Sequence, residues 1–126
     1  MAKKQTITID QDEGIRPESN METLSKLKPV FDPAGTVTAG NSSSINDGAA
    51  CVLVASEDAI ARYNLTPLVR IVSYAEAGVD PNIMGVAPIP ASKKALEKAG
   101  WKVSELDLIE CNEAFASQSV YVARQM

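Results

Sequence analysis

The sequence predicts an α/β fold with a largely parallel or mixed sheet. After residue 48 the pattern runs strand, helix, strand, helix, strand, helix, which is typical of layered α/β domains. Apolar residues make up 45% of the 126 residues and charged residues 22%, which is usual for a globular chain with one core. The last helix reaches the end of the sequence with no strand after it, so we expect an incomplete sheet.

The first third of the chain predicts little regular structure. Residues 6–10 alternate polar and apolar side chains and predict a short edge strand. After a polar loop, residues 21–27 predict a helix with Asn20 as its N-cap. The helix should end before Pro29, because a residue that precedes proline is disfavoured in the helical region.

Three apolar segments predict the strands of the sheet. Residues 49–55 are continuously apolar and should be buried on both faces. Residues 67–75 and 106–111 are the next two candidates. Cys51 and Cys111 lie within two of these segments, so we expect both thiols to be buried and structural.

The helices between the strands have clear local signals. Ser56 is a candidate N-cap for a helix that runs to Tyr63 and stops at a left-handed Asn64. Residues 91–99 predict a helix that Gly100 ends, and residues 113–126 predict the last one. Residues 76–90 predict a long irregular loop, and such loops are usually functional.

Composition excludes several classes of function. The net charge is −4 and the basic residues are scattered, which argues against a nucleic-acid partner. No apolar run is long enough to span a membrane, and the N-terminus does not resemble a signal peptide. Two lone cysteines favour a reducing, cytoplasmic setting. The sequence has no histidine. This chain alone therefore cannot form a Ser-His-Asp or Cys-His catalytic site, or most kinds of zinc site.

Residues 35–50 predict a ligand-binding loop. The stretch is rich in Gly, Ser and Asn, so it offers backbone groups, hydroxyls and room for a close approach. The alternative is a plain turn in which Ser44 and Asp47 form a capping box.

Asn112 marks a second candidate site, where the last strand meets the last helix. Ligands gather at such strand ends, and an amide there can orient a water or stabilise an oxyanion. The alternative is that Asn112 is a helix N-cap and Glu113 a first-turn acid that favours the helix dipole.

Three motifs together resemble the thiolase family. They are residues 38–50 (TAGNSSSINDGAA), residues 78–91 (GVDPNIMGVAPIPA) and residues 106–116 (LDLIECNEAFA), in the order and spacing of that family. The resemblance covers essentially the whole chain and implies an incomplete portion of a thiolase-like layered fold, αβαβα in the complete family. It also implies a division into residues 1–66, the end of the N-terminal half, and residues 67–126, the start of the C-terminal half.

The resemblance implies a role for eight residues. Ser43 matches a serine that contacts an amide of the coenzyme A pantetheine arm, and Asn112 matches the asparagine that holds a catalytic water in an oxyanion hole. Met84 matches a methionine that lines the acyl site. The remaining substrate-binding positions flank the pantetheine arm or form the wall of its tunnel: Ala39, Ser42 (usually alanine in the family), Ile45, Ala114 and Phe115.

The resemblance implies an acyltransferase that joins two acetyl-CoA molecules or runs the reverse thiolysis. Acyl-CoA is the substrate, no metal or other cofactor is implied, and the complete enzyme is expected to be a homodimer or homotetramer. The family's nucleophilic Cys, catalytic His and second Cys have no counterpart here, so we expect the chain alone to be inactive. The alternatives are a longer-chain 3-ketoacyl-CoA thiolase, another condensing enzyme of this fold, or a non-catalytic acyl-CoA-binding module.

Overall fold

The regular structure of the chain is helical. A computed structural model describes residues 6–126, and helices α1 to α4 and two 3-10 helices form within that range. Between residues 6 and 126 no β-strand forms, and a single antiparallel bridge joins Ser42 to Phe115. The helices are α1 Met21–Ser25, α2 Glu57–Tyr63, α3 Pro88–Ala99 and α4 Ala116–Gln125, and the 3-10 helices are Pro81–Val86 and Val103–Glu105.

The predicted mixed sheet is therefore wrong for the described part of the chain. Residues 6–10, 49–55, 67–75 and 106–111 contain no assigned strand. A strand requires a second backbone to complete its hydrogen bonds, and these segments do not pair with one another. The segments are apolar, but no segment within residues 6–126 pairs with them to form a sheet.

The predicted burial of these segments is wrong for the same reason. Val52 is 82% exposed, Leu53 84% and Leu108 79%. Cys51 and Cys111 are also exposed, so the expectation that both thiols are buried fails as well. Without a neighbouring strand or a covering helix layer, side chains on both faces of an extended segment stay in solvent.

The chain as a whole has an unusually large surface. Its accessible area is 11937 Å², whereas a compact monomer of 13.4 kDa has about 6,500 Å². Val122 on α4, which is 7% exposed, is the one buried apolar residue in the described range, and no side chain there is completely buried. A substantial part of the surface that a compact domain would bury, roughly 40%, is thus still exposed.

The helix ends agree well with their local signals. Asn20 caps α1: its side chain accepts from the Thr23 N–H at 3.0 Å, and the Thr23 hydroxyl accepts from the Asn20 N–H. α2 has Ser56 as its N-cap and Asn64 in the left-handed region at φ 50. Gly100, at φ 71, ends α3. These predictions are confirmed.

Several boundaries differ from prediction, and α1 ends at Ser25 rather than at residue 27. The segment predicted as an irregular loop over residues 76–90 contains the 3-10 helix Pro81–Val86, and α3 begins at Pro88 rather than at residue 91. Proline fits the first turn of a helix, where its missing N–H has no intrahelical acceptor. α4 begins at Ala116, three residues after the predicted start, because the bridge to Ser42 holds Phe115 in an extended conformation.

The C-terminal half forms the local scaffold. α3, α4 and the 3-10 helix Pro81–Val86 contact one another. The Ser73 hydroxyl donates to the Ala95 carbonyl oxygen at 2.7 Å, and Lys98 Nζ donates to the Tyr74 carbonyl oxygen at 3.0 Å. These bonds hold Ser73 and Tyr74 against α3. None of the helices between residues 6 and 126 has the length and apolar character that a membrane crossing requires.

Candidate functional site

The two predicted binding motifs meet in space. Ser42 and Phe115 form the antiparallel bridge, the Ser43 N–H donates to the Ala114 carbonyl oxygen at 2.9 Å, and the Ala116 N–H donates to the Asn41 carbonyl oxygen at 2.9 Å. Residues separated by more than 70 positions in sequence are thus held by backbone hydrogen bonds. The bridge places the small-residue loop beside the start of α4.

The loop before the bridge is fixed by its own side chains. Asn41 Oδ1 accepts from the Thr38 N–H at 2.8 Å, and Asn41 Nδ2 donates to the Thr36 carbonyl oxygen at 2.9 Å. The Ser42 hydroxyl donates to the Thr38 carbonyl oxygen at 2.7 Å. The hydroxyl of Ser42 is therefore used inside the loop, and the loop has a defined shape although it is mostly made of small polar residues.

Helix α1 supports the same loop from outside. A Cβ atom at Gly40 would lie 2.5 Å from Leu24 Cδ2 and 2.7 Å from Leu27 Cδ1. Both distances are shorter than any normal carbon contact, so the absence of a side chain at Gly40 lets the loop pack directly on the two leucines.

Met84 and Phe115 line one shallow pocket. Its volume is about 390 Å³, and its walls come from the 3-10 helix Pro81–Val86 and from the exposed side of α4, including Gln118 and Tyr121. Asp80 stabilises the start of that 3-10 helix, because its carboxylate accepts from the Asn82 N–H at 2.8 Å. Two of the residues predicted to line the substrate path are thus brought together.

Asn112 lines a second groove, which adjoins the Met84 pocket at Gln118. It is exposed and, with Glu113 and Cys111, lines a larger apolar groove of about 960 Å³ between residues 72–73, α3 and α4. Trp101, Leu106 and Met126 also line this groove. Asn112 precedes Phe115, the residue that bridges to the loop, by three positions, but it lines the groove.

The helix-cap alternatives do not hold. The N-cap of α4 is Phe115, and no acidic residue lies in its first turn, so neither Asn112 nor Glu113 serves α4 in the manner of a cap. Ser44 and Asp47 do not begin a helix either, since residues 43–55 are not helical. The Ser44 hydroxyl instead pairs with the Asn46 side chain at 2.8 Å.

The other predicted site residues are solvent-exposed. Ser43 and Ala39 are open to solvent, and the Ile45 side chain is 104% exposed. Ala39 and Ile45 line neither pocket. In the range 6–126 no group of Asp, Glu, Cys or His is arranged to hold a metal ion.

Sequence reasoning missed Asn41, Gln118 and Tyr121. The signal for Asn41 is its position three residues after Thr38, because an Asn side chain commonly bonds to nearby backbone in such turns. Gln118 and Tyr121 follow Phe115 at helical spacings of three and six, so they lie on a neighbouring face of α4.

Family models divide the chain into two matched parts. Residues 1–58 match the model described as "Thiolase, N-terminal domain", and residues 65–126 match "Thiolase, C-terminal domain". The chain belongs to the thiolase family. Both halves of the family's architecture are represented in this thiolase segment, and the junction between residues 58 and 65 falls across α2 and its C-cap.

Known thiolases resemble this segment over nearly its whole length. An acetyl-CoA acetyltransferase of Paracoccus denitrificans is 58% identical over 125 residues, which is 99% of this chain and 32% of the relative. The mitochondrial 3-ketoacyl-CoA thiolase of Homo sapiens is 52% identical over 98% of this chain and 31% of the relative. The thiolase segment thus spans about a third of the length of these relatives.

Solved thiolase structures match the backbone. The acetyl-CoA acetyltransferase of Bacillus anthracis superimposes with a TM-score of 0.89 at 44% identity, over 99% of this chain and 32% of that one. The human mitochondrial 3-ketoacyl-CoA thiolase in complex with CoA gives 0.87 at 52% identity, over 92% and 29%. The thiolase-like fold is thereby confirmed, although the described residues do not form its sheet.

Proposed function

We propose that this chain supplies part of the coenzyme A binding surface, and one oxyanion contact, of a thiolase that joins two acetyl-CoA molecules into acetoacetyl-CoA and CoA. The observation that carries the proposal is the backbone bridge between Ser42 and Phe115. It joins two family motifs at one place, beside a pocket that Met84 shares with Phe115. The human relative solved in complex with CoA supports a coenzyme A thioester as the ligand.

The residues of this chain act by binding and orientation. The exposed Ser43 hydroxyl donates to, or accepts from, an amide of the pantetheine arm, while Ala39, Ser42, Ile45 and Ala114 flank it. Met84 and Phe115 line the acyl end. Asn112 holds a water whose O–H donates to the oxygen on which negative charge develops.

Bond making belongs to groups outside this chain. A cysteine thiolate attacks the first thioester carbonyl and expels CoA as its thiolate, which leaves an acyl-enzyme. A second cysteine takes a proton from the methyl group of acetyl-CoA, and the resulting carbanion attacks the acyl-enzyme and releases the first cysteine. Since no histidine is present and both cysteines are exposed on unsupported segments, we propose that the chain alone is inactive.

A 3-ketoacyl-CoA thiolase acting on longer acyl chains in fatty acid metabolism is the second candidate. Relatives of both kinds are similar to this chain: the Paracoccus acetyl-CoA acetyltransferase is 58% identical, the human 3-ketoacyl-CoA thiolase 52% and the Bacillus anthracis acetyltransferase 44%, so identity does not separate the two candidates. A cytoplasmic location and a homodimeric or homotetrameric complete enzyme are part of the same proposal, and no metal or further cofactor is included in it.

A graft tests the proposed function. In the graft, this chain replaces the segment of the Paracoccus denitrificans enzyme to which it aligns. We expect the graft to cleave acetoacetyl-CoA with CoA, and the 126-residue chain alone to give no turnover above a protein-free control. A folded graft that fails to bind CoA by calorimetry would refute the binding role, and turnover by the purified chain alone would refute its inactivity.

A further inference from the structure

One residue bonds to both motifs of the proposed site. Asn41 is half-buried between the small-residue loop and the start of α4. Its side chain accepts from the Thr38 N–H and donates to the Thr36 carbonyl oxygen. Its backbone N–H donates to the Thr38 carbonyl oxygen at 3.2 Å, and its carbonyl oxygen accepts from the Ala116 N–H at 2.9 Å. All its polar groups are therefore engaged.

The contact to Ala116 has a specific effect on α4. The first N–H groups of a helix have no acceptor within the helix. Phe115, the N-cap residue, has no side-chain hydrogen bond to offer. The Asn41 carbonyl oxygen supplies the missing acceptor at Ala116, and this fixes where α4 begins relative to the loop.

The side-chain bonds set the direction of that carbonyl group. The amide of Asn41 has one possible orientation, because a carbonyl oxygen at Thr36 can only accept and an N–H at Thr38 can only donate. An apolar side chain would leave both groups without their partner. The turn over residues 36–42 would then lose the bonds that orient its backbone.

We propose that Asn41 is a positioning residue that couples the Ser43 loop to the segment carrying Asn112. The inference rests on the proposed function, because it assigns to Asn41 the alignment of two groups that act on the coenzyme A thioester. Ser43 follows Asn41 by two residues, and Asn112 precedes the Asn41-bonded Ala116 by four. Asn41 itself does not touch the substrate.

A double-mutant cycle in the graft tests this coupling. Asn41→Ala should raise KM for CoA and lower kcat, each by about 3- to 10-fold, because removing two neutral hydrogen bonds misaligns both groups. In the Asn41→Ala background, Ser43→Ala should change KM less than twofold, since the Ser43 hydroxyl is already displaced. Asp12→Ala is the control, because the Asp12 carboxylate accepts from the Gly14 N–H outside both motifs, and its constants should match the parent graft.

A structural role alone gives a different result. If Asn41→Ala lowers Tm but leaves KM, kcat and the Ser43→Ala effect unchanged, the inference is overturned. If the Ala variant does not fold, the same cycle is run with Asn41→Asp, which keeps the acceptor for Thr38 and loses the donor to Thr36.

Hydrogen–deuterium exchange separates this inference from the proposed function. Asn41→Ala should speed exchange in peptides containing Thr38 and Ala116, and Asp12→Ala should not. If Ser43→Ala leaves KM unchanged in the parent graft, the proposed binding role fails, but the exchange data still decide whether Asn41 joins the two segments. Unchanged exchange at Ala116 would overturn the inference whatever the kinetics show.

Discussion

The substitution Asn112→Ala in the graft separates a catalytic amide from a structural one. An N-cap asparagine contributes about 1 kcal/mol to stability. Asn112, however, is exposed and stands four residues before α4, whose N-cap is Phe115. Exposed positions away from caps and cores change stability by about 0.5 kcal/mol or less. We therefore expect the Tm of Asn112→Ala to stay close to that of the parent graft.

The kinetic effect should be large by comparison. A group that stabilises a developing oxyanion contributes about 10²–10³ in kcat, which is roughly 2.7–4 kcal/mol. Because the contact strengthens only as charge develops, KM should move little. The steady-state rate of acetoacetyl-CoA thiolysis gives both constants, and differential scanning fluorimetry gives Tm.

Ser56→Ala is the matched control for Asn112→Ala. The Ser56 hydroxyl accepts from the Ala59 N–H at 3.2 Å and caps α2, outside both motifs. Its loss should cost about 1 kcal/mol of stability and leave kcat unchanged. An Asn112→Ala graft that behaves like Ser56→Ala, destabilised but fully active, would refute the assignment of Asn112.

Three further outcomes are expected. Ser43→Ala in the graft should raise KM about 2- to 10-fold with kcat unchanged, because one neutral hydrogen bond is lost in ground state and transition state alike; a fall in kcat at constant KM would contradict this. Gly40→Ala should destabilise the graft by about 1–3 kcal/mol in chemical denaturation, because the new Cβ would overlap Leu24 and Leu27. Unaltered stability would show that the leucines move aside without cost. The 126-residue chain should self-associate, because segments such as residues 49–55 expose a continuous apolar surface; a monomer by light scattering that binds no hydrophobic dye would exclude this.

The features that the sequence predicted well are local ones. The Asn20 and Ser56 boundaries depend on a side chain that bonds a backbone N–H three residues on, and the Asn64 and Gly100 boundaries on a residue that adopts the left-handed conformation. A short window of sequence therefore contains the whole signal. The apolar run at residues 49–55 differs, because its pattern reports a tendency to be buried in a sheet but not which backbone completes that sheet. Pairing requires a partner at long range, and residues 6–126 contain none.

The sequence motifs predicted which residues belong to the candidate site, but not how those residues contact one another. Ser42 and Phe115 were singled out separately, and their backbone bridge became visible only in three dimensions. Asn41 was missed because its importance lies in simultaneous bonds to Thr36, Thr38 and Ala116, and the last of these is 75 residues away in sequence. The predicted roles of the individual side chains in binding CoA remain predictions.

The large accessible surface of the chain has a consequence for how it melts. An unfolded chain of this mass exposes about 19,400 Å², so unfolding from 11937 Å² uncovers only about 60% of the area that a compact domain of equal size would uncover. The heat capacity increment and the denaturant m-value both scale with that area. The increment should therefore be about 1 kcal/mol/K, where a compact chain of this length gives about 1.5–1.9 kcal/mol/K. A urea titration of the isolated chain should accordingly show a shallow, extended transition, and the same segment within a complete thiolase should unfold with the steep cooperativity of its host.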